Sequence, residues 1–327
     1  MTSTSSPVAL TQAPPALKVL IPRVFASSAD YWLHVTSESS VFFEDSRPEA
    51  TAGTTVAIVL PGIGDTRRQF RLLAPLLHDQ LGFRVLLGDL RGFGDSTSFN
   101  NEAGVTYSAY SPEAVASDVT TLMEKLYAAD RATSFVLVGN SLSAGSMVLA
   151  AVKAQKATSS LPIRAVVLCG PILRDSPMDT WFRPLSHLLF CSWYGAWVWA
   201  IYYKSLFPGK LPEDFDAELE ILKAHMKLRK RNIVNVGDFM RAAKVAVAAA
   251  VSDLGGLPDL PVLAFFGRKD PDYADVDAEL EWFTGAVPHA QHFEEDEGGH
   301  YPHLEYPERI VTALTEALNV ASRRQNA

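Results

Sequence analysis

Short, mostly apolar runs that end in turn residues recur along this chain and alternate with segments of helical periodicity. Such apolar runs are typical of strands buried on both faces of a sheet, and the helical segments are long enough to serve as parallel crossovers. The alternation predicts an α/β fold with helices on both faces of a largely parallel sheet. The predicted strands are Val56–Leu60, Arg84–Leu87, Phe135–Val138, Ala165–Leu168 and Val262–Phe266.

The segments between and around these strands complete the predicted pattern. Helices are predicted over Arg68–Leu81, Pro112–Ala128, Leu142–Lys156, Val276–Phe283 and Pro307–Leu318. Before the first of the strands, Leu17–Phe25 and Tyr31–Glu44 predict an antiparallel strand pair that leads into the sheet.

Composition narrows the classes of partner and compartment. The chain has 327 residues and a net charge of −8 spread along its length, which argues against a nucleic-acid partner. Cys169 and Cys191 form no C-x-x-C pair, so we expect free thiols and no zinc site. Met1–Gln12 has neither a basic nor an apolar signal region, and a cytoplasmic protein is expected. The sequence leaves the oligomeric state open.

The alternation stops between Leu173 and Leu257, where the sequence is typical of helices alone. An all-helical insert between two sheet strands predicts a cap domain. We therefore divide the chain into a flexible tail (1–15), an α/β core (16–172 and 258–327) and a helical cap (173–257).

Within this predicted cap, Pro184–Tyr203 is a run of 20 residues without Asp, Glu, Lys or Arg, which is the length of a membrane span. A span here would have to leave and re-enter one sheet, so a buried cap helix is favoured. Phe190, Tyr194 and Trp197 are then predicted to line an apolar substrate pocket. Peripheral contact with an anionic bilayer is a further possibility, supported by a basic run at Lys223, Lys227, Arg229, Lys230 and Arg231.

The sharpest local motif is FVLVGNSLS at residues 135–143, an apolar strand followed by a tight turn and a predicted helix. A serine in that turn is projected from the carboxyl edge of the sheet, above a helix N-terminus that favours developing negative charge. Ser141 is therefore the candidate nucleophile. A purely structural role is also possible for it, as a helix-capping serine in an ordinary strand-to-helix turn.

A carboxylate and a histidine follow Ser141 in the order that a catalytic triad of this type requires. Asp270 comes directly after a predicted strand, and His300 lies on the glycine-flanked loop EGGHYP before the last helix. A serine needs an imidazole to take its proton and a carboxylate to orient the imidazole. His303 also remains possible as the base, as do Asp272, Asp275 and Asp175 as the acid.

An oxyanion hole is predicted from two backbone amides. The loop LPGIG at residues 60–64 has little side-chain bulk, which leaves the amide of Ile63 available, and the second donor is the amide of Leu142. The acidic cluster Glu294–Glu297 with His300 and His303 lacks metal-ligand spacing, so we expect no metal.

Together with the turn GDLRGFGDS at residues 88–96, which is similar to D-x-R-G-x-G-x-S, these motifs resemble the α/β-hydrolase superfamily over residues 50–320. The resemblance implies a Ser141–Asp270–His300 triad, a mostly parallel eight-stranded sheet, a helical cap inserted after the sixth strand, and no cofactor. Two positions depart from the family: Pro61 stands where many members have His, and Ser143 where the elbow ends in Gly. A serine at the position of Ser143 is also found in members that resemble the plant karrikin and strigolactone receptors. The Gly-Asn-Ser sequence of the elbow is similar to that of carbon–carbon hydrolases that act on meta-cleavage products.

The predicted function is a serine hydrolase that cleaves an ester, thioester or lactone of a small to medium apolar substrate through an acyl-enzyme on Ser141. Carbon–carbon bond hydrolysis or acyl transfer on the same triad is an alternative, because no residue separates these reactions. A second class of function, a ligand sensor with a hydrolase fold, is suggested by Ser143.

Overall fold

The computed structural model describes residues 20–36, 39–47, 53–99, 106–157, 160–176, 179–228 and 232–325. Eight strands among these residues form one sheet: β1 (Ala29–His34), β2 (Ser40–Asp45), β3 (Thr55–Leu60), β4 (Arg84–Gly88), β5 (Ser134–Asn140), β6 (Ile163–Cys169), β7 (Val262–Gly267) and β8 (Gln291–Glu295). Their order across the sheet is β1-β2-β4-β3-β5-β6-β7-β8. β2 pairs antiparallel with β1 and β4, and all other neighbours are parallel.

The first helical element in the described part of the chain is a short 3-10 turn at Arg67–Phe70. The helices that follow are α1 (Leu73–Asp79), α2 (Pro112–Ala129), α3 (Leu142–Lys156), α4 (Asp179–Leu189), α5 (Gly195–Ser205), α6 (Phe215–Leu228), α7 (Asn232–Arg241), α8 (Val245–Gly255), α9 (Val276–Ala286), α10 (Pro302–Glu305) and α11 (Pro307–Gln325). The predicted mostly parallel α/β architecture with eight strands is confirmed.

Each face of the sheet carries its own hydrophobic core, and β3 shows why. Its side chains alternate, so Ile58 and Leu60 face a core shared with α2, α3 and α8, while Ala57 and Val59 face a core shared with α1 and α11. A strand covered on both faces has no polar side, which explains its continuous apolar sequence.

The five predicted central strands are confirmed, but both ends of the sheet differ from expectation. β8 was not predicted, because its sequence QHFEE is polar and half-exposed at an edge. At the other end, Tyr31–Glu44 itself folds into the β1–β2 hairpin, so it is not one strand of a pair with Leu17–Phe25. The described residues from Leu20 to Phe25 contain no strand, because the amides of Val24 and Phe25 donate to the Glu44 carboxylate.

A buried ion cluster joins the start of the described chain to the sheet. The Arg67 guanidinium lies 2.6 Å from Asp89, 2.8 Å from Asp95 and 3.1 Å from Glu44, and all four side chains are almost completely buried. Arg67 also donates to the carbonyl of Ile21 at 2.7 Å. The D-x-R-G-x-G-x-S turn therefore provides two carboxylates that hold neighbouring segments together.

The segment between β6 and β7 is helical where the structure describes it, from α4 to α8. α8 packs directly on α3, where a Cβ on Gly145 would lie 2.8 Å from a Val247 methyl carbon. α6 and α7 contact the turn after β4: the Gly94 amide donates to His225 at 3.2 Å, and Asn235 donates to the Gly92 carbonyl at 3.2 Å.

The uncharged run at 184–203 is divided between α4 and α5 by a turn. Within the described part of the chain, no helix combines the length and apolar character needed to cross a membrane. The predicted tail (1–15) and Arg229, Lys230 and Arg231 of the basic run lie outside the described residues.

Candidate active site

Ser141 occupies a sharp turn between β5 and α3. Its φ of 58° and ψ of −126° make it the one non-glycine residue with positive φ in the described chain. Such a conformation costs about 1–3 kcal/mol and persists only where surrounding contacts enforce it. Here the Ser141 amide donates to the Cys169 carbonyl at 3.0 Å, and the Ser141 carbonyl accepts from the Ile172 amide at 3.2 Å. The turn also needs Gly139, where a Cβ would lie 2.7 Å from the Ala144 nitrogen.

Ser143, which departs from the family pattern, has a structural role. Its buried hydroxyl lies 2.8 Å from the carbonyls of Leu60 and Asn140 and accepts from the Asn140 amide at 3.0 Å. These contacts tie the first turn of α3 to the ends of β3 and β5. The feature that suggested a ligand sensor thus has a local explanation in the geometry of the turn.

His300 and Asp270 meet as the sequence predicts. Asp270 follows β7, His300 lies between β8 and α10, and the Asp270 carboxylate accepts from Nδ1 of His300 at 2.7 Å. Burial lowers the pKa of His300, but the charges of Asp270 and Asp272 and the hydrogen bond from Asp270 outweigh it and raise this pKa to about 9. The imidazole is therefore oriented, and its cation is stabilised.

The loop that carries His300 is anchored on three sides. The Glu305 carboxylate accepts from the Gly299 amide at 3.0 Å, and the His300 amide donates to the carbonyl of Leu206, beyond the end of α5. Asn140, the neighbour of Ser141, donates from its side chain to the His300 carbonyl at 3.1 Å. The serine turn and the histidine loop are thus joined directly.

Asp272 is a second carboxylate beside the imidazole. Its Oδ2 lies 3.6 Å from Nδ1 of His300, against 2.7 Å for Asp270, so Asp270 is the hydrogen-bond partner. Tyr202 of α5 donates its hydroxyl to Asp272. Burial raises the pKa of Asp272, the His300 cation lowers it and the charge of Asp270 raises it further, with the net direction upward.

The remaining candidates for the acid and the base have structural roles away from the imidazole. His303 is completely buried and stacks on Phe70 at 4.1 Å, and burial holds its pKa well below the usual value, which describes a neutral core histidine. Asp175 pairs with Arg183 at 2.6 Å, and Asp275 caps α9 by accepting from the Ala278 amide.

The predicted oxyanion loop lies against the serine turn. A Cβ on Gly62 would be 2.9 Å from Oδ1 of Asn140 and 3.0 Å from Cβ of Ser141, so a side chain at this position would crowd the serine turn. Among the described residues, the amides of Ile63 and Leu142 have no hydrogen-bond acceptor, as expected for a loop amide and for the first position of a helix. Both predicted donors are therefore available.

Asp65, at the end of the same loop, was not predicted. Its buried carboxylate accepts from the Tyr301 hydroxyl at 2.9 Å and from Gln69 at 3.2 Å. Burial raises its pKa to about 7, against the lowering effect of these hydrogen bonds and of the His300 cation. No sequence pattern marks Asp65, because its importance depends on burial beside residues that are distant in the chain.

The residues predicted to line a pocket are separated in the structure. Phe190 is buried, but Tyr194 is 40% and Trp197 68% exposed. Their spacing of four and three assumed one continuous helix, whereas the chain turns between α4 and α5, and the helical phase is lost. The inward face of α5 instead carries Trp199, Tyr202 and Tyr203, and the sequence signal for this face was their mutual spacing of three and four.

Trp199 packs on the oxyanion loop. A Cβ on Gly64 would overlap its indole ring and lie 2.9 Å from its Nε1. The indole N–H is buried and has no acceptor among the described residues. The Tyr203 hydroxyl accepts from Gln69 at 2.6 Å, so α5 contacts both the oxyanion loop and the Asp65 network.

Asp270, Asp272 and His300 are also the one group in the described chain whose ligand atoms lie close enough, within 4.8 Å, to surround a metal ion. The Asp270 carboxylate accepts from Nδ1 of His300, and the Asp272 carboxylate accepts from the Tyr202 hydroxyl. The arrangement supports acid–base chemistry, in which a carboxylate orients an imidazole.

The sheet, the strained serine turn and the buried His–Asp pair define the class of the protein, and comparison with known families agrees. The alpha/beta hydrolase family matches residues 57–313. The chain therefore belongs to the alpha/beta hydrolase family and is an enzyme of the hydrolase type. No curated protein is a significant match to the sequence.

Solved structures with the same fold cover nearly the whole chain. An esterase from Thermogutta terrifontis has 21% identity and a TM-score of 0.61, covering 90% of this chain and 99% of its own. An esterase from Rhodococcus sp. has 20% identity and a TM-score of 0.64, and the match covers 90% of this chain and 98% of the esterase. A bromoperoxidase from Bacillus anthracis has 17% identity and a TM-score of 0.66, and the match covers 90% of this chain and 100% of the bromoperoxidase. At these identities the likeness shows the fold.

Proposed function

We propose that this chain is a cofactor-independent serine hydrolase that cleaves carboxylic esters, thioesters or lactones through an acyl-enzyme on Ser141. The observation that carries the proposal is the enforced positive φ of Ser141, in a turn joined through Asn140 to the loop of the His300–Asp270 pair. Strain of this kind is kept at sites where a side chain must be presented to a substrate.

In the first step, the Ser141 oxygen attacks the substrate carbonyl while the His300 imidazole takes the hydroxyl proton. Asp270 accepts from Nδ1 and stabilises the imidazolium that forms. The negative charge moves onto the carbonyl oxygen, where the amides of Ile63 and Leu142 donate to it. His300 then returns the proton to the leaving alcohol, thiol or lactone oxygen as its bond to the acyl carbon breaks.

In the second step, a water molecule attacks the acyl-enzyme carbonyl and gives a proton to His300. The bond between the acyl carbon and Ser141 breaks, and His300 returns the proton to the serine. The product is the free carboxylic acid. All proton transfers pass through one imidazole, so the reaction needs no group beyond these residues.

Two observations support an ester substrate with an apolar acyl chain. The similar structures from Thermogutta terrifontis and Rhodococcus sp. are described as esterases. The roof above the oxyanion loop is aromatic, with Trp199 and Phe190 buried and in edge contact at 6.0 Å. Apolar walls with few polar groups favour an apolar acyl chain.

A fluorophosphonate probe tests the nucleophile, because an activated serine displaces fluoride from its phosphorus atom. We expect stoichiometric labelling of the folded protein, with loss of labelling in Ser141→Ala and in His300→Ala. The matched control is Ser252→Ala, an exposed serine of α8, which should be labelled like the wild type. Folded protein that stays unlabelled, or labelling that persists in Ser141→Ala, would overturn the proposal.

A series of p-nitrophenyl esters tests the substrate class. The aromatic roof predicts that kcat/KM rises from the acetate to medium-length acyl chains. Equal or falling kcat/KM along the series, in an enzyme that the probe labels, would reject the apolar preference while leaving the serine mechanism intact.

A further inference from the structure

The outer surface of α4 and α5 carries an unusual set of exposed apolar side chains, which we call the outer aromatic face. Its tryptophans are among the most exposed large apolar residues of the described chain: Trp181 is 82%, Trp193 95% and Trp197 68% exposed. The face comprises Trp181, Leu185, Leu188, Trp193, Tyr194, Trp197 and Ile201.

The apolar side of α4 faces outward, and polar residues of this helix make contacts within the protein. In α4, Phe182 and Ser186 face inward, and Ser186 accepts from Arg241 of α7 at 2.8 Å. The opposite side, which in a water-exposed helix would be polar, carries Trp181, Leu185 and Leu188 at a spacing of four and three.

The turn between the helices makes the face continuous. The Tyr194 hydroxyl donates to the Leu188 carbonyl at 2.7 Å, and the Tyr194 carbonyl accepts from the Trp197 amide at 2.9 Å. Tyr194 is thus held between the end of α4 and the start of α5, where the two parts of the face meet. A soluble protein rarely exposes so many neighbouring large apolar groups without a partner.

The charge of this region differs from that of the chain. Residues 180–212 contain Arg183, Lys204 and Lys210 and no Asp or Glu, although the whole chain has a net charge of −8. Lys204 is exposed and continues the row of Trp197 and Ile201 at helical spacing. Among the described residues, Lys204 and Lys210 have no carboxylate partner.

We propose that the outer aromatic face docks the protein onto the surface of an anionic lipid bilayer. Tryptophan and tyrosine are the side chains best suited to the headgroup region, because their rings are apolar and their N–H or O–H groups stay hydrated. Lys204, which continues the row of Trp197 and Ile201 and has no carboxylate partner among the described residues, adds attraction to anionic headgroups. This combination of chemistry selects a negatively charged lipid surface as the occupant.

Vesicle flotation tests the proposal, with the full chain and liposomes of phosphatidylcholine alone or with 30% phosphatidylserine. We expect binding to the anionic vesicles, weaker binding to the neutral ones and a loss of the difference at high salt. Trp181→Gln with Trp193→Gln should lower the partition coefficient at least about tenfold on both kinds of vesicle. Lys204→Gln should lower it about fivefold on the anionic vesicles only.

The matched control is Val245→Gln, an apolar residue 72% exposed at the start of α8, outside this face, which should bind like the wild type. Hydrolysis of a soluble ester by all variants shows that they fold, and it is independent of lipid binding. Failure to float with anionic vesicles, or equal flotation of the double tryptophan variant, overturns the proposal. A concentration-dependent dimer that the tryptophan changes dissociate, without vesicle binding, also overturns it and assigns the face to a second copy of the chain.

Discussion

At the scale of single residues, the backbone of Ser141 makes a prediction about stability. Glycine adopts a φ of 58° and ψ of −126° without the steric cost that a Cβ imposes, so Ser141→Gly should be more stable than Ser141→Ala by about 1–3 kcal/mol. Urea unfolding measures the difference. At Ser252, inside α8, the order should be reversed by about 1 kcal/mol in favour of alanine. If the alanine variant is the more stable one at both positions, the turn is unstrained.

The two carboxylates beside His300 predict the pH dependence of catalysis. Only neutral His300 can accept the serine proton, and its pKa is raised to about 9, so kcat/KM should rise as pH increases and level off above about pH 9. Asp272→Asn removes one negative charge that stabilises the imidazolium, so the midpoint should move to lower pH. Asp277→Asn, an exposed residue of α9, serves as the control and should leave the profile unchanged. Identical profiles for Asp272→Asn and the wild type would contradict this account.

The sequence predicts the residues whose chemistry is marked by local pattern. Ser141, Asp270 and His300 each follow a strand or a glycine-rich loop, and the structure places Asp270 and His300 in contact. Asp65 and Asp272 carry no such mark, because their roles depend on burial and on tyrosines from distant segments. Long-range contacts of this kind cannot be read from periodicity.

At the scale of elements, the contact of α5 with the oxyanion loop predicts a specific loss of activity. Gly64 has a φ of 77°, and an added Cβ would overlap the Trp199 ring. Gly64→Ala should therefore displace α5 or the loop and lower kcat/KM at least about tenfold, because an oxyanion donor that moves by 1 Å loses much of its effect. Steady-state kinetics with a soluble ester measures this.

Gly82 provides the matched control for Gly64. Its φ is 69°, but a Cβ there would meet nothing within 4 Å. Gly82→Ala should cost about 1–2 kcal/mol of stability from backbone strain alone and leave kcat/KM unchanged. If both substitutions reduce activity equally, strain and not contact with Trp199 is responsible.

The elements that the sequence predicted and those that it missed differ in burial. Val56–Leu60 and its neighbours are covered on both faces, so their apolar runs are unambiguous. β8 is a polar edge strand, and the turn FCSWY between α4 and α5 contains neither glycine nor proline to mark it. Apolar pattern alone does not distinguish one helix from two in such a run.

At the scale of the whole molecule, the buried cluster of Arg67 predicts a large effect on stability. Replacing it leaves Glu44, Asp89 and Asp95 buried without their shared cation, and a broken buried ion pair costs about 3–5 kcal/mol. Arg67→Met should lower the free energy of unfolding by at least that amount. Arg23→Met, which removes an exposed pair with Asp30, should cost less than about 1 kcal/mol. Equal effects in urea unfolding would refute the role of the cluster.

The central claim for the molecule is that Ser141 carries the acyl group of the substrate during turnover. Rapid acid quench of the enzyme with a slowly deacylated p-nitrophenyl ester, followed by mass spectrometry of the intact protein and its peptides, measures this directly. We predict one acyl group per chain, located on the peptide that contains Ser141 and absent in Ser141→Ala. Turnover of the ester with no acyl adduct at any quench time, or an adduct on another residue, would contradict the account.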